Sequence, residues 1–198
     1  MSKLFTNVYD PIMKPLETGG FGAIRENLLR EATGRVLEIG AGTGVNFPYY
    51  DAAVEAVDAI EPDDDMRNQS HERVREATVP IRLHAVRAEN LPFPDQSFDT
   101  VVATLVFCTI PHPTLALREI ERVSKPGARV LFFEHVRLDQ PALGKIQDAL
   151  TPLWKKAADG CHLNRDTLGM IQQSKLDVTN VDSHYKGVFL TIHGNYPE

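Results

Sequence analysis

The sequence is poor in cysteine and tryptophan, and no apolar run approaches the roughly 18–20 residues that a membrane-crossing helix needs. Only two cysteines occur, Cys108 and Cys161, with neither metal-ligand spacing nor a disulfide framework around them. They read as reduced thiols, buried cysteine being most often a small apolar residue, and no metal is expected. Basic residues form no stripe and the net charge is −6, so neither nucleic acid nor an anionic membrane is favoured as a partner. The opening MSKLFTNVYDPIMKPL has no apolar stretch of signal-peptide length and no small-residue cleavage site, so it reads as a cytoplasmic start without a membrane anchor. Repeats and low-complexity linkers are missing too, which excludes solenoids and disordered arrays. What remains is an ordinary folded composition: 198 residues, 42% apolar and 24% charged, enough for one domain with one continuous core.

Within that chain, short apolar runs alternate with amphipathic ones. The segment from Leu16 to Ala32 contains a helix with Phe21, Ile24, Leu28 and Leu29 at helical spacing, and Gly34 breaks it. Strands are expected at Val36–Ile39, Val54–Ile60, Ile81–Ala88, Asp99–Leu105 and Val130–Phe133, with later β-rich segments around Val178–Tyr185 and Val188–Ile192. Asp63-Asp64-Asp65 suits a helix N-terminus, where the dipole favours negative charge. The prolines of LPFPDQS exclude helix or central strand, and a helix carrying Leu117, Ile120 and Val123 is expected to end at Pro126-Gly127. This alternation predicts an α/β sandwich around a mostly parallel sheet.

The informative segment is VLEIGAGTG, residues 36–44, closing the first strand. Gly40, Gly42 and Gly44 permit a sharp turn and let a ligand lie against bare backbone, at the carboxyl end of the strands where open sheets bind ligands. The dinucleotide fingerprint G-x-G-x-x-G does not fit, because its third glycine falls on Val45. Glu38, two places before Gly40, would repel a pyrophosphate but attract a ligand's cationic amino group. Glu61 closes the second strand and is placed to accept hydrogen bonds from ribose hydroxyls. Ala88-Glu89-Asn90-Leu91-Pro92-Phe93 follows the third strand. There, backbone amides and short polar groups could read a base edge, with Leu91 or Phe93 against its face or, alternatively, folded back on the core. Thr104-Leu105-Val106-Phe107 would floor the site.

Together these features resemble the class I S-adenosylmethionine-dependent methyltransferases over almost the whole chain. The segment from AENLPFPDQSFD to FFEHV is similar to the group that includes the quinone-biosynthesis C-methyltransferases. LVFCTI, FFEHV and ADGCHLNRD resemble the methyltransferase-like seven family, whose animal members are associated with methylating alkyl thiols. The resemblance implies a Rossmann-like sandwich with a seven-stranded, mostly parallel sheet whose last strand is antiparallel. It divides the chain into an N-terminal helical cover (1–33), a cofactor-binding core (34–135), and acceptor-side helices with the last two strands (136–198). It also implies S-adenosylmethionine as cofactor. Glu38, Gly40, Ala41, Gly42 and Gly44 would surround its methionine part, with Glu61 and Pro62 at the ribose, Ala88 and Glu89 at the adenine, and Thr104 and Leu105 near the sulfonium. Where the broad group carries an acidic residue before the Ala-Glu pair, this chain has Arg87, so Glu89 or a backbone carbonyl must substitute. The apolar N-terminal anchor of the animal proteins is not expected here, so membrane attachment is not carried over from the resemblance.

Methyl transfer from a sulfonium is an in-line displacement in which positioning and desolvation supply much of the acceleration. A base matters only when the acceptor must lose a proton. Glu134 and His135 at the end of the fifth strand and His162 beside Cys161 are the candidates, each with a structural alternative. Cys108 could line the acceptor pocket or pack in the core; covalent catalysis by cysteine is disfavoured because direct transfer needs no enzyme-bound methyl. Trp154, Leu150 and Leu153 would cover an apolar acceptor or pack in the core. The acceptor is expected to be a small molecule, a thiol or other soft nucleophile first. A quinone precursor or other apolar metabolite methylated at carbon or oxygen is the alternative, and a non-catalytic ligand-binding module is the reading from another class.

Overall fold

A computed structural model describes residues 3–158 and 160–198, the side chains of residues 3–9 excepted. Met1-Ser2 of the N-terminal reading and Asp159 of ADGCHLNRD therefore lie outside the described residues. The chain runs α1 (Lys3–Leu16), a π-helical turn (Glu17–Phe21), α2 (Gly22–Leu29), β1 (Gly34–Ile39), β2 (Val54–Ile60), α3 (Asp64–Glu76), β3 (Ile81–His84) and β4 (Phe98–Thr104). It continues through α4 (Pro113–Val123), β5 (Ser124–His135), α5 (Pro141–Ala157), α6 (Thr167–Gln172), β6 (Asp177–His184) and β7 (Phe189–Asn195). The seven strands form one sheet in the order β3-β2-β1-β4-β5-β7-β6. Pairings from β3 through β5 are parallel, and β7 enters antiparallel between β5 and β6. This is the Rossmann-like, seven-stranded arrangement expected, last strand included.

Both sheet faces are covered, which explains why the central strands are almost wholly apolar. Along β5 the residues alternate: Val130 and Phe132 join the core built with Leu117, Ile120 and Val123 of α4, while Leu131 and Phe133 join the core built with Phe21, Leu28 and Leu29. β1 does the same with Leu37 and Ile39 on the α4 side and Val36 on the α2 side. The two-residue period therefore assigns Glu38, Thr104 and His135 to the α2 face of the sheet.

Local chemistry sets most boundaries. Asp63 caps α3 by accepting from the Met66 amide at 3.0 Å, with Asp64 and Asp65 in the first turn and Arg73 and Arg75 in the last. The expected helix before β1 is divided: the π-helical turn contains Gly20 at φ 137°, and the neighbouring Gly19 and Gly20 let the chain bend between α1 and α2. Two boundaries differ from the sequence reading. α4 ends at Val123 because Ser124 turns extended and pairs with Phe98, so Pro126-Gly127 falls inside β5 instead of closing the helix. β3 stops at His84, paired with Ile60; it is an edge strand, and beyond Ile60 its one neighbour is gone, so residues 85–88 leave the sheet. Among the described residues no helix is long and apolar enough to cross a membrane.

Candidate active site

The glycine loop leaves β1 at the carboxyl edge of the sheet, between β2 and β4. Gly40, Gly42 and Gly44 all lie in the left-handed region, at φ 66°, 55° and 80°. Their roles differ. A Cβ on Gly40 would stand 2.1 Å from Cγ2 of Val106, and one on Gly44 would stand 2.5 Å from the Phe47 ring, so packing within the protein requires both to be bare. A Cβ on Gly42 would meet nothing within 4 Å among the described residues. The main chain at Gly42 is thus open, and that open backbone is the feature an approaching ligand needs.

Glu61 braces this loop from β2. Its Oε2 accepts from the Gly42 amide at 3.0 Å and its Oε1 from the Asp63 amide at 2.9 Å. Burial raises its pKa, partly countered by those two amide bonds. Each oxygen keeps a lone pair for another donor. Ala41 extends the β1–β2 pairing by donating to the Ile60 carbonyl at 3.0 Å, while the neighbouring Pro62 is exposed.

Glu38 lies beneath the loop, fully buried. Its oxygens accept from Asn46 Nδ2 at 3.0 Å and from the Tyr50 hydroxyl at 2.8 Å. Burial pushes its carboxyl up to about 7 against the lowering influence of Tyr50, Asn46 and Arg25. Arg25, 1% exposed, is the cation facing it. The Arg25 guanidinium donates to Asn46 Oδ1 at 2.9 Å, to Thr104 Oγ1 at 2.7 Å and to Glu17 at 3.1 Å. Thr104 also accepts from Asn46 at 2.9 Å, so its hydroxyl is tied into this network at the end of β4. The sequence reading missed Arg25, Asn46 and Tyr50. For Arg25 a signal existed: it sits at the core-facing spacing of Phe21, Leu28 and Leu29, where a charge requires a partner. Asn46 and Tyr50 gave none, because an ordinary polar loop has the same composition.

The α1 helix closes over this region. Asp10 accepts from Thr43 Oγ1 at 2.7 Å and from Arg73 at 2.7 Å, and Arg73 also donates to the Thr43 carbonyl at 2.7 Å. After β3, Ala88 is buried and Glu89 accepts from the His112 amide at 3.2 Å. Leu91 and Phe93 fold back on the protein: both are buried in the α4-side core, with Phe93 edge-on to Phe98 and His84. Arg122 holds their loop by donating to the Leu91 and Phe93 carbonyls at 3.0 and 2.8 Å.

Past Thr104 the chain turns through Leu105 at φ 53°. Glu134 organises this turn, its Oε1 accepting from the Val106 and Phe107 amides at 3.0 Å each. Its Oε2 is buried without a hydrogen-bond partner among the described residues, and burial raises the group to about 7. Glu134 therefore has a positioning role in the folded chain. His135, at the strand end, places Nε2 3.2 Å from Cys161 Sγ. Burial opposes the charged imidazole, but the Cys161 sulfur outweighs it and raises the His135 pKa. Cys108 lies beside this pair, and the Cys108, His135 and Cys161 ligand atoms all fall within 4.8 Å of one another. Cys161 is held well below the ordinary thiol range by hydrogen bonds from Cys108 and His135, while the bond to Cys161 and burial push Cys108 up. Sequence spacing concealed this meeting of distant residues. His162 contributes its backbone, donating to the Cys108 carbonyl at 3.0 Å. Leu150, Leu153 and Trp154 are not core residues: they stand exposed on α5 at 51%, 71% and 45%.

A doubly covered α/β sheet with open main chain and a carboxylate at its carboxyl edge defines a ligand-binding α/β fold, its site where open sheets of this kind take their ligands. Residues 37–132 match the family described as "Methyltransferase domain". Rattus norvegicus thiol S-methyltransferase TMT1B is 33% identical over 156 residues, 74% of this chain and 62% of that relative, so the match spans less than two thirds of its length. Cereibacter sphaeroides phosphatidylethanolamine N-methyltransferase is 34% identical over 66% of this chain and 68% of its own. The Vibrio vulnificus ubiquinone/menaquinone biosynthesis C-methyltransferase UbiE is 30% identical over 71% and 58%. Among solved structures, the YcgJ protein of Bacillus subtilis superposes with a TM-score of 0.71 at 18% identity, covering 91% of this chain and 99% of that one. The chain belongs to the S-adenosylmethionine-dependent methyltransferase family.

Proposed function

We propose that this chain transfers a methyl group from S-adenosylmethionine to a small-molecule thiol. The open main chain at Gly42, where a Cβ would meet nothing among the described residues, carries the cofactor half of this reading. Gly40, Ala41, Gly42 and Gly44 would hold the methionine part, with Glu38 lending negative potential from beneath. Glu61, adjoined by Pro62, would accept from the ribose hydroxyls, Ala88 and Glu89 would border the adenine, and Thr104 and Leu105 would lie near the sulfonium. When bound, S-adenosylmethionine supplies an electrophilic methyl carbon. Glu134 holds the 105–107 turn in place, and Asp10 ties α1 to Thr43 of the glycine loop and to Arg73.

For the acceptor, the thiolate is the nucleophilic form of a thiol, and His135 with Cys161 supplies polar, polarisable groups beside the β4–β5 edge. Similarity to thiol S-methyltransferase TMT1B supports the same class. A second reading, C-methylation of a quinone precursor, is favoured by the likeness to UbiE. Labelled S-adenosylmethionine offered with panels of alkyl thiols, phenols and quinone precursors separates the two. Labelled thioether is expected; turnover of a phenol or quinone precursor with every thiol inert would reject the thiol assignment.

A further inference from the structure

We propose that Cys108, His135 and Cys161 form a three-ligand site for a zinc-like divalent ion, whose open fourth position takes the thiolate of an acceptor. The identity of that fourth ligand rests on the thiol reading above; the three protein ligands do not.

The donor set is the first argument. Two sulfurs and one imidazole nitrogen lie within 4.8 Å of one another, and His135 Nε2 is 3.2 Å from Cys161 Sγ. Around a tetrahedral zinc, bonds of about 2.3 Å to sulfur and 2.0–2.1 Å to nitrogen place neighbouring ligand atoms roughly 3.5–3.8 Å apart. The cluster already stands near that separation, so small side-chain movements would admit an ion. Soft sulfur with imidazole selects zinc over magnesium or calcium, and three protein ligands with one open position is the pattern of reactive zinc sites.

The second argument is the rigidity of the supports. Cys108 is carried on the turn after β4, which Glu134 holds through the Val106 and Phe107 amides. Arg165 clamps the same segment by donating to the Phe107 carbonyl and, at 2.6 Å, to the Ile110 carbonyl. The Cys161 segment is tied to it by the His162 amide on the Cys108 carbonyl, 3.0 Å, and is turned by the Cys161 amide on the Ala158 carbonyl, 2.9 Å. His135 ends β5, whose pairing with β7 extends to Phe189. These hydrogen bonds hold the Cys108 turn and the end of β5 and tie Cys161 to the former, which lowers the ordering cost of binding.

Access and chemistry complete the case. Cys108 and Cys161 are buried, whereas His135 is only partly so and lies on the sheet face shared with Glu38 and Thr104. Binding the ion releases to bulk solvent the thiol protons that Cys108 and Cys161 carry, as their sulfur–metal bonds form. An acceptor thiol reaching the fourth position loses its proton in the same way as its S–H bond breaks and a third sulfur–metal bond forms. No oxidant or reductant is needed. β4, which leads to Cys108, is the direct neighbour of β1, which leads to the glycine loop.

The test uses the full chain, reduced with a phosphine, stripped with a chelator and titrated with Co²⁺ without cofactor or acceptor. A sulfur-to-cobalt charge-transfer band saturating at a single equivalent and displaced by Zn²⁺ is expected. Cys108→Ser and Cys161→Ser should each weaken binding by more than about tenfold. Adding 2-mercaptoethanol should strengthen the band as a third sulfur joins. A reduced wild-type chain with no such band, or an unchanged band in Cys161→Ser, overturns the proposal. If a serine variant fails to fold, X-ray absorption of the zinc-loaded wild type decides: two sulfurs and one imidazole support the site, and any other protein ligand set refutes it. Cobalt binding with every thiol inert removes the thiol reading and leaves the metal site. Undiminished thiol turnover by the stripped chain removes the metal's role in activation and leaves the thiol reading.

Discussion

Replacing Gly42 with alanine probes the loop where only conformation and a ligand constrain it. At φ 55° an L-residue costs about 1–2 kcal/mol relative to glycine. The new methyl meets no atom of the described residues within 4 Å, so they add no packing penalty to that. For a chain of this size each kcal/mol lowers Tm by about 2–4 °C, and a folded domain with about 5–15 kcal/mol in hand survives the loss. If S-adenosylhomocysteine lies against this backbone, the methyl takes ligand space. Affinity should then fall by about tenfold or more, equivalent to at least about 1.4 kcal/mol of binding. Gly40→Ala is the contrasting variant: its Cβ would lie 2.1 Å from Val106 Cγ2, adding overpacking of about 1–3 kcal/mol to the conformational cost. Calorimetric titration with S-adenosylhomocysteine and thermal melts of both chains give the answer. Unchanged affinity in a folded Gly42→Ala chain would falsify the placement of the ligand on this loop.

Three further perturbations address the supports. Arg25→Met removes the cation serving Glu17, Asn46 and Thr104 and should cost about 3–5 kcal/mol in urea unfolding; a loss below about 1 kcal/mol would show that the network is dispensable. Glu38 titrates at about 7 when folded against 4.5 otherwise, so between those values the native chain keeps a proton that the unfolded chain has released. Its contribution is full below 4.5 and is lost as pH rises through 7, so wild-type stability should decline across that window relative to Glu38→Gln, by up to about 3 kcal/mol; parallel curves for the two chains would refute this. Asp10→Ala cuts the ties from α1 to Thr43 and Arg73, so amide exchange in α1 should quicken while global stability drops by about 1 kcal/mol or less. Unchanged protection of α1 would mean that other contacts hold it.

Much of the architecture could be read along the chain because its signals are local. The apolar runs of β1, β2 and β4 report burial on both faces, Asp63 to Asp65 mark the start of α3, and the glycine triplet marks a turn that few other residues can make. Boundaries failed where a neighbour decided them: β3 ends where β2 ends, and α4 yields to the pairing of Ser124 with Phe98. Leu91 and Phe93 were ambiguous for the same reason, since an apolar residue in a loop can line a ligand or fill a core, and only packing chose the core.

The candidate site divides in the same way. Residue type and spacing alone determined that a glycine turn followed by an acidic strand end would stand at the carboxyl edge of a parallel sheet. Tertiary structure alone decided that Arg25 would reach Glu17, Asn46 and Thr104, and that two cysteines and a histidine from three segments would converge. Periodicity encodes which face a residue turns toward its own element's neighbours, but no local pattern encodes which distant segment arrives there.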